Sequence, residues 1–285
     1  MIKKAVIPVA GRGTRFYPLT KTLPKEMLPI VDRPIIAYIV EECIKSGIEE
    51  IIFITNNKKK IIEDYFTFED GFELTLKDKA LKEYLMEKKL FTNNVKFHYI
   101  NQDNPQGTAH AIYLAKDLIK DDDFAVLYGD DFMMGDIPVL KQLIDLYQEN
   151  DASVIAVKEV KLNNVSSYGM IKYDDNKLIK AIVEKPDLST TPSLDAGLGR
   201  YVLKNSIFKE IEILPRGKNS EYQLTDAMSN LMKKEKFVSC KFDGEYYDLG
   251  SKVGYLKANL FMALEKEDLK KEILEVVDLL KEENR

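Results

Sequence analysis

An α/β fold, with a mixed and mostly parallel sheet flanked by helices, is what the 285-residue sequence predicts, on three observations. Short apolar runs alternate with amphipathic helical spacings up to residue 150, the rhythm of βαβ units with right-handed crossovers. After residue 160 the texture changes to alternating strands about a turn, which adds a locally antiparallel, β-richer part. Residues 251–285 carry helical spacing only. No internal repeat or low-complexity linker interrupts the chain. The expectation is therefore one domain over 1–285, made of a Rossmann-like half (1–150), a β-richer half (151–250) and C-terminal helices (251–285).

The elements justify that reading in order. Ala5–Val9 is apolar and short, so a buried strand is predicted. Prolines at 18, 24, 29 and 34 forbid a long helix in the segment that follows. Ile35, Ile36, Ile39, Val40, Cys43 and Ile44 share one helical face, and Gly47 supplies a stop. Glu50–Thr55 reads as the next strand and 58–66 as a helix. Residues 67–94 break the rhythm and read as an insertion on the rim, helical near 79–89, with a solvated charged face; Lys58, Lys59 and Lys60 are expected at the surface as well. Strands follow at 95–100, 124–128 and 153–160, with helices at 107–119 and 137–148 between them. Residues 169–173 and 178–184 form a predicted hairpin around Asp174-Asp175-Asn176. Helices near 206–211 and 222–234, strands at 237–242 and 245–248, and helices broken near Glu267 complete the chain.

Composition excludes several classes. The chain is 45% hydrophobic and 31% charged, ordinary for a globular protein with a sizeable core. Its net charge of −5 gives no basic field to recruit nucleic acid or an anionic membrane, so neither is an expected partner. No stretch approaches the roughly 20 apolar residues of a spanning helix, and no signal-peptide core follows Lys3 and Lys4. Cys43 and Cys240 read as buried free thiols, and with His98 and His110 the only histidines, a zinc site of the usual ligands is not expected. A cytoplasmic protein fits these features.

Chemistry concentrates in Ala5–Pro34. The first strand runs into Ala10-Gly11-Arg12-Gly13-Thr14-Arg15, where backbone amides can approach a ligand without Cβ interference. Lys21, Lys25 and Glu26 follow. A strand, a glycine turn and fixed cations form a plan for holding polyphosphate. The dinucleotide fingerprint fails because Phe16 stands where its third glycine belongs, and no Gly-Lys-Ser/Thr closes a P-loop.

The run GxGTR, spacer and PKEMLP resembles the signature of nucleoside triphosphate:sugar-1-phosphate nucleotidyltransferases, within them the bacterial-type UTP–glucose-1-phosphate uridylyltransferase branch. The resemblance continues in order through Gln102…Gly107, Gly129-Asp130-Asp131, Tyr168-Gly169, Glu184-Lys185-Pro186, Gly199-Arg200-Tyr201-Val202, Gln223-Leu224-Thr225-Asp226 and Asp248-x-Gly250, nearly the whole chain. It implies transfer of a uridylyl group from UTP to glucose 1-phosphate, giving UDP-glucose and pyrophosphate. By the same resemblance, Ala10, Gly11, Gly13, Thr14, Arg15, Lys25, Glu26, Gln102 and Gly107 bind the nucleotide. Gly169, Glu184 and Lys185 bind the sugar phosphate, and Asp130 and Asp248 hold Mg2+ with Asp131 behind them. Arg15, Lys25, Asp130 and Lys185 are the residues expected to carry catalysis. The family's habit further implies a homodimer or homotetramer, for which the apolar residues of 253–280 supply surface.

Several positions depart from the uridylyl pattern. Tyr17, Thr108-Ala109 and Leu194 replace an aliphatic residue, Leu-Gly and Asn, and Tyr17-Pro18 is similar to glucose-1-phosphate thymidylyltransferases. Glu26 after Lys25 favours the uridylyl branch, where the thymidylyl branch tends to Gln. The expectation is UTP, with dTTP, or use of both nucleotides, as the alternative. Glu26, as an acceptor, is expected to read the uracil N3–H.

Overall fold

The computed structural model describes residues 1–69, 71–217 and 220–283. Its first half alternates strands and helices: β1 (Lys4–Pro8), the small ladder β2 (Pro29–Ile30) and β3 (Arg33–Pro34), α1 (Ile35–Lys45), β4 (Glu50–Thr55), α2 (Lys60–Phe66), α3 (Asp78–Asn94), β5 (Lys96–Asn101), α4 (Thr108–Tyr113), α5 (Lys116–Ile119), β6 (Phe124–Leu127), β7 (Asp131–Met134) and α6 (Val139–Asn150). Then come β8 (Ser153–Glu159), β9 (Gly169–Tyr173), β10 (Ile179–Glu184), β11 (Asp195–Leu203), α7 (Ile207–Glu212), α8 (Leu224–Leu231), β12 (Phe237–Lys241), β13 (Glu245–Asp248), α9 (Lys252–Leu264) and α10 (Glu267–Glu283).

One mixed sheet carries both halves, in the order β10-β9-β11-β6-β1-β4-β5, with β8 on the far edge of β11 and β12 beyond it. The strands β6, β1, β4 and β5 run parallel. Antiparallel pairing begins at β11, which meets β6, β8 and β9. Strand alternation builds two cores. Ala5 and Ile7 of β1 face α1, α2, α6 and α9, whereas Val6 faces α4, α5, α7 and α8. The predicted α/β sandwich of helices on both faces is thereby present.

The rim insertion is anchored rather than loose. Phe91 of α3 is fully buried against Phe66, which stacks on Phe53 and Phe97. Besides the two-residue strands β2 and β3, the strands β7 and β11 escaped the sequence reading. In β11, Gly197, Gly199 and Arg200 interrupt the apolar run, although the strand is buried over most of its length. In β7, Asp131 pairs with Asp248 of β13 in an antiparallel ladder. That ladder brings the ends of two distant segments together at the carboxyl ends of β1 and β6, where ligands gather in open α/β sheets.

Candidate active site

The loop after β1 turns at Gly13, whose φ of 61° is left-handed and suits glycine. A Cβ there would lie 3.1 Å from Lys25 Cβ and 3.2 Å from Thr20 Cγ2. The Thr20 hydroxyl donates to the Gly13 carbonyl at 2.7 Å. Instead of an α-helix, the proline-rich stretch forms 3-10 turns at Thr14–Phe16, Leu19–Lys21 and Lys25–Met27. Folding back in this way sets Lys25 beneath the glycine turn, while Arg15 stays largely exposed.

Lys25 Nζ meets Asp130 Oδ2 at 2.5 Å, and Arg15 Nη1 stands 4.0 Å from Asp248 Oδ1. The Leu249 amide donates to the Asp130 carbonyl at 2.9 Å, so β13 holds the turn that carries Asp130. Gly250 marks where the groups converge: a Cβ there would lie 2.7 Å from Arg15 Nη1, 2.9 Å from Asp248 Oδ1 and 3.1 Å from Asp130 Oδ2. Burial opposes ionisation of Asp130, but the ammonium of Lys25 and the guanidinium of Arg15 hold its carboxyl below the usual range. Burial likewise works against the charged Lys25, and Asp130 and Glu26 overcome it and raise the lysine. Two carboxylates without imidazole or thiolate suit a hard divalent cation that takes its other ligands from phosphate and water. Among the described residues no cluster of three or more potential ligands occurs, so such a cation would need the substrate to complete its shell.

A cavity of about 260 Å³ opens beside this point. Arg15, Asp130 and Asp248 line one part of it and Gly169, Glu184 and Lys185 another. In the β9–β10 hairpin Gly169 is the register partner of Glu184. A Cβ at Gly169 would lie 3.1 Å from Glu184 Oε2, so the glycine leaves the carboxylate open to the cavity. Lys185 has a left-handed φ of 49°, held by its amide donating to the Tyr168 carbonyl at 3.0 Å. A lysine in that conformation is strained locally and over-determined by its surroundings. Sequence reasoning did not mark Tyr128, Thr225 or Tyr246 as cavity walls. Asp131 accepts from the Gly199 amide and the Tyr246 hydroxyl, each at 2.8 Å. Burial, then the neighbouring Asp130, pushes Asp131 up to about 6.

Gln102 and Gly107 do not line that cavity. Gln102 is buried, with its amide nitrogen 2.9 Å from His110 Nδ1. Gly107, at φ 110°, leaves no room for a Cβ against the Tyr222 backbone, and this close approach docks the start of α4 on the start of α8.

The structure corrects two expectations. Glu26 does not offer its carboxylate to a ligand: it is 0% exposed, beneath Gly129, and Oε2 pairs with Lys59 Nζ at 2.8 Å. Its second oxygen, Oε1, is buried without a hydrogen-bond partner. Lys59 in turn is not a surface lysine but a buried one, donating to the Val9 carbonyl as well as to Glu26. The physical reason is desolvation. A carboxylate enclosed by the ends of β1 and β6 needs a cation, and Lys59, just before α2, bonds it directly while Lys25 adds its field from nearby. Burial raises Glu26 and lowers Lys59, in both cases against the pull of the partner.

The nucleotidyl transferase family model matches residues 4–265, which include every group described above. The chain belongs to that family. UTP–glucose-1-phosphate uridylyltransferase 1 of Staphylococcus saprophyticus is 41% identical over 280 residues, covering 97% of this chain and 98% of the relative. Among solved members, a UDP-glucose pyrophosphorylase complexed with UDP-glucose superposes with a TM-score of 0.85 at 38% identity, over 93% of this chain and all of the other. A UTP-bound UDP-glucose pyrophosphorylase from Acinetobacter baumannii gives a TM-score of 0.86 at 36% identity, over 97% and 99%.

Proposed function

We propose that this nucleotidyltransferase joins UTP to glucose 1-phosphate, releasing pyrophosphate and forming UDP-glucose. The observation that carries the reading is the convergence at Gly250 of Arg15, Asp130 and Asp248, with Lys25 bonded to Asp130, beside a cavity walled by Glu184 and Lys185. The sugar phosphate is already an anion, so no protein nucleophile is required. Its oxygen forms a bond to the α-phosphorus as the bond to pyrophosphate breaks, and the electron pair leaves with the pyrophosphate. What the protein must supply is alignment and neutralisation of two polyanions.

In this reading the backbone of Ala10, Gly11, Gly13 and Thr14 cradles phosphate, and Arg15 and Lys25 neutralise the triphosphate. Gln102 and Gly107 shape the base side. Lys185 steers the attacking phosphate, Glu184 accepts hexose hydroxyls, and Gly169 keeps the wall thin. Asp130 and Asp248 would hold Mg2+, which when bound neutralises charge on the phosphates. Residues 1–150 then serve mainly the nucleotide and 151–250 the sugar. Buried free Cys43 and Cys240 fit a reducing cytoplasm, and no helix among the described residues is long and apolar enough to cross a membrane.

Pyrophosphate release measured for UTP and dTTP against several sugar 1-phosphates, with and without Mg2+, tests the proposal. The expected result is release that needs both Mg2+ and glucose 1-phosphate and is greatest with UTP. Preference for dTTP would replace the uridylyl reading with the thymidylyl one. Absence of release with every pair would reject both.

We further infer self-association through the C-terminal helices. Val253 and Leu256 of α9 are 64% and 66% exposed, and Leu279 of α10 is 61% exposed. A second copy covering these helices would remove that apolar surface from water. Light scattering should give a dimer or tetramer; the 32.7 kDa monomer mass at micromolar concentration would refute it.

A further inference from the structure

Arg200 lies in β11 opposite Leu127 of β6 and is 0% exposed. No ligand can reach it, yet every donor of its guanidinium is used. Nε lies 3.2–3.3 Å from the Glu42 carboxylate, and Nη2 donates to Glu42 Oε2 at 3.0 Å. The other Nη2 bond goes to the Asp131 carbonyl at 2.7 Å. Nη1 donates to the Tyr128 carbonyl at 3.2 Å and the Gly199 carbonyl at 3.1 Å. Five donors in a rigid fork thus meet one carboxylate and three carbonyls. Glu42 is fixed in return by the Leu140 amide at the start of α6, 3.0 Å from Oε1.

Two of those carbonyls flank Gly129-Asp130, the turn between β6 and β7. The neighbouring Gly199 completes the grip: its amide donates to Asp131 Oδ2, and its carbonyl accepts from the Tyr128 amide at 2.8 Å. Space there is short, since a Cβ on Gly199 would lie 2.7 Å from Tyr128 Cβ. A buried ion pair is poor evidence of stabilisation, because apolar residues of similar volume often serve as well or better. Its cost has to be set against geometry, and the geometry it controls is the direction in which Asp130 leaves the turn.

We propose that Arg200, neutralised by Glu42, is a positioning residue that clamps the Tyr128 and Asp131 carbonyls and so aims Asp130 at the reacting phosphates. The inference rests on the reading of Asp130 given above. It separates two jobs for cations at one turn: Lys25 touches Asp130 directly, whereas Arg200 acts only through backbone. Misplacement of a reacting group by about 1 Å costs on the order of 10²-fold in rate.

The test replaces the whole pair with apolar side chains, Arg200→Met with Glu42→Leu, so that neither charge is stranded. Arg200→Lys, which keeps a cation for Glu42 but cannot span both carbonyls, guards against a double variant that does not fold. Thermal unfolding, kcat, KM for both substrates, and Mn2+ binding in the presence of UTP by water-proton relaxation are read on each. The expected result is a Tm close to that of the parent, kcat lower by about tenfold in Arg200→Lys and about 10²-fold in the double variant, and Mn2+ held several-fold more weakly. KM for glucose 1-phosphate should move less than about threefold, because the clamp does not touch the Glu184 wall. Parental kcat and Mn2+ affinity in a folded Arg200→Lys or double variant would overturn the proposal and leave Arg200 as core packing. A parent that binds Mn2+ and UTP but does not turn over glucose 1-phosphate would count against the sugar assignment alone.

Discussion

Two ion pairs meet at the turn after β6, and they differ in what they can exchange. Lys25–Asp130 is closed at 2.5 Å, but its side chains keep 18% and 29% of their exposure, and Asp130 lines the cavity. Arg200–Glu42, on the core side of the same turn, keeps 0% and 9%. A triphosphate can give Lys25 another anion and a divalent cation can give Asp130 another positive partner, so the first pair can open as ligands arrive. Nothing can substitute for either member of the second. In the proposed reaction the cavity pair is a resting arrangement of reactive groups, and the core pair is a fixture that sets their coordinates. Burial, more than the kinds of charge involved, separates the two roles.

The most severe break of the cavity pair is Asp130→Asn. It preserves shape, removes the charge offered to a metal, and should lower turnover by about 10²–10³-fold while the circular dichroism spectrum and Tm stay near those of the parent. Lys25, released from its partner, should not raise KM for UTP. Near-normal turnover of the folded variant at limiting Mg2+ would remove Asp130 from the metal assignment.

The two pairs also differ in how visible they are in sequence. Lys25 and Asp130 stand in short stretches, a proline-bounded loop and an acidic turn after an apolar run, and the resemblance of those stretches to family motifs is what suggested their roles before geometry. The parallel half was equally legible, because β1, β4 and β6 are continuous apolar runs bounded by turns. What escaped depends on long-range burial. Arg200 sits among Asp195, Gly197 and Gly199, a pattern that reads as a polar loop until β6, β8 and β9 surround it. Lys59 lies in a run of three lysines, and only its reach to Glu26 separates it from its neighbours. Periodicity reports which face of an element is apolar, and it is silent about a charged residue whose partner is 33 or 158 positions away.

Glu26 sharpens the comparison, since its pair with Lys59 resembles the core pair in burial while lying one residue from Lys25. As support, it should affect the reaction without reading the base. Glu26→Ala removes the carboxylate but strands Lys59, which can swing toward the loop and disturb the Val9 carbonyl. The expected outcome is kcat/KM lower by about tenfold for UTP and CTP alike, with their ratio held within about twofold. A UTP/CTP ratio that collapses in the variant would return Glu26 to the pyrimidine edge.

The smallest expected effect concerns Asp131, which touches both regions: its backbone carbonyl is gripped by Arg200 and its side chain borders the cavity. Burial and the adjacent Asp130 push its carboxyl up to about 6, from an ordinary value near 3.8. A raised acid binds its proton more tightly folded than unfolded. Its contribution to stability is therefore complete below about pH 3.8 and is lost as pH rises through about 6. Asp131→Asn cannot titrate, so that loss is absent from the variant. The substituted amide still accepts from the Gly199 amide, and the Tyr246 hydroxyl can reverse to accept from its nitrogen, which leaves a pH-independent offset rather than a slope. Glu26 and Lys59 titrate in both proteins and cancel in the difference. Scanning Tm from pH 5 to pH 7.5, the value for Asp131→Asn minus that of the parent should become more positive by a few degrees, most of it between pH 5 and pH 6. A flat difference would mean that Asp131 is already ionised at pH 5, held in that state by Tyr246, the Gly199 amide and Arg200.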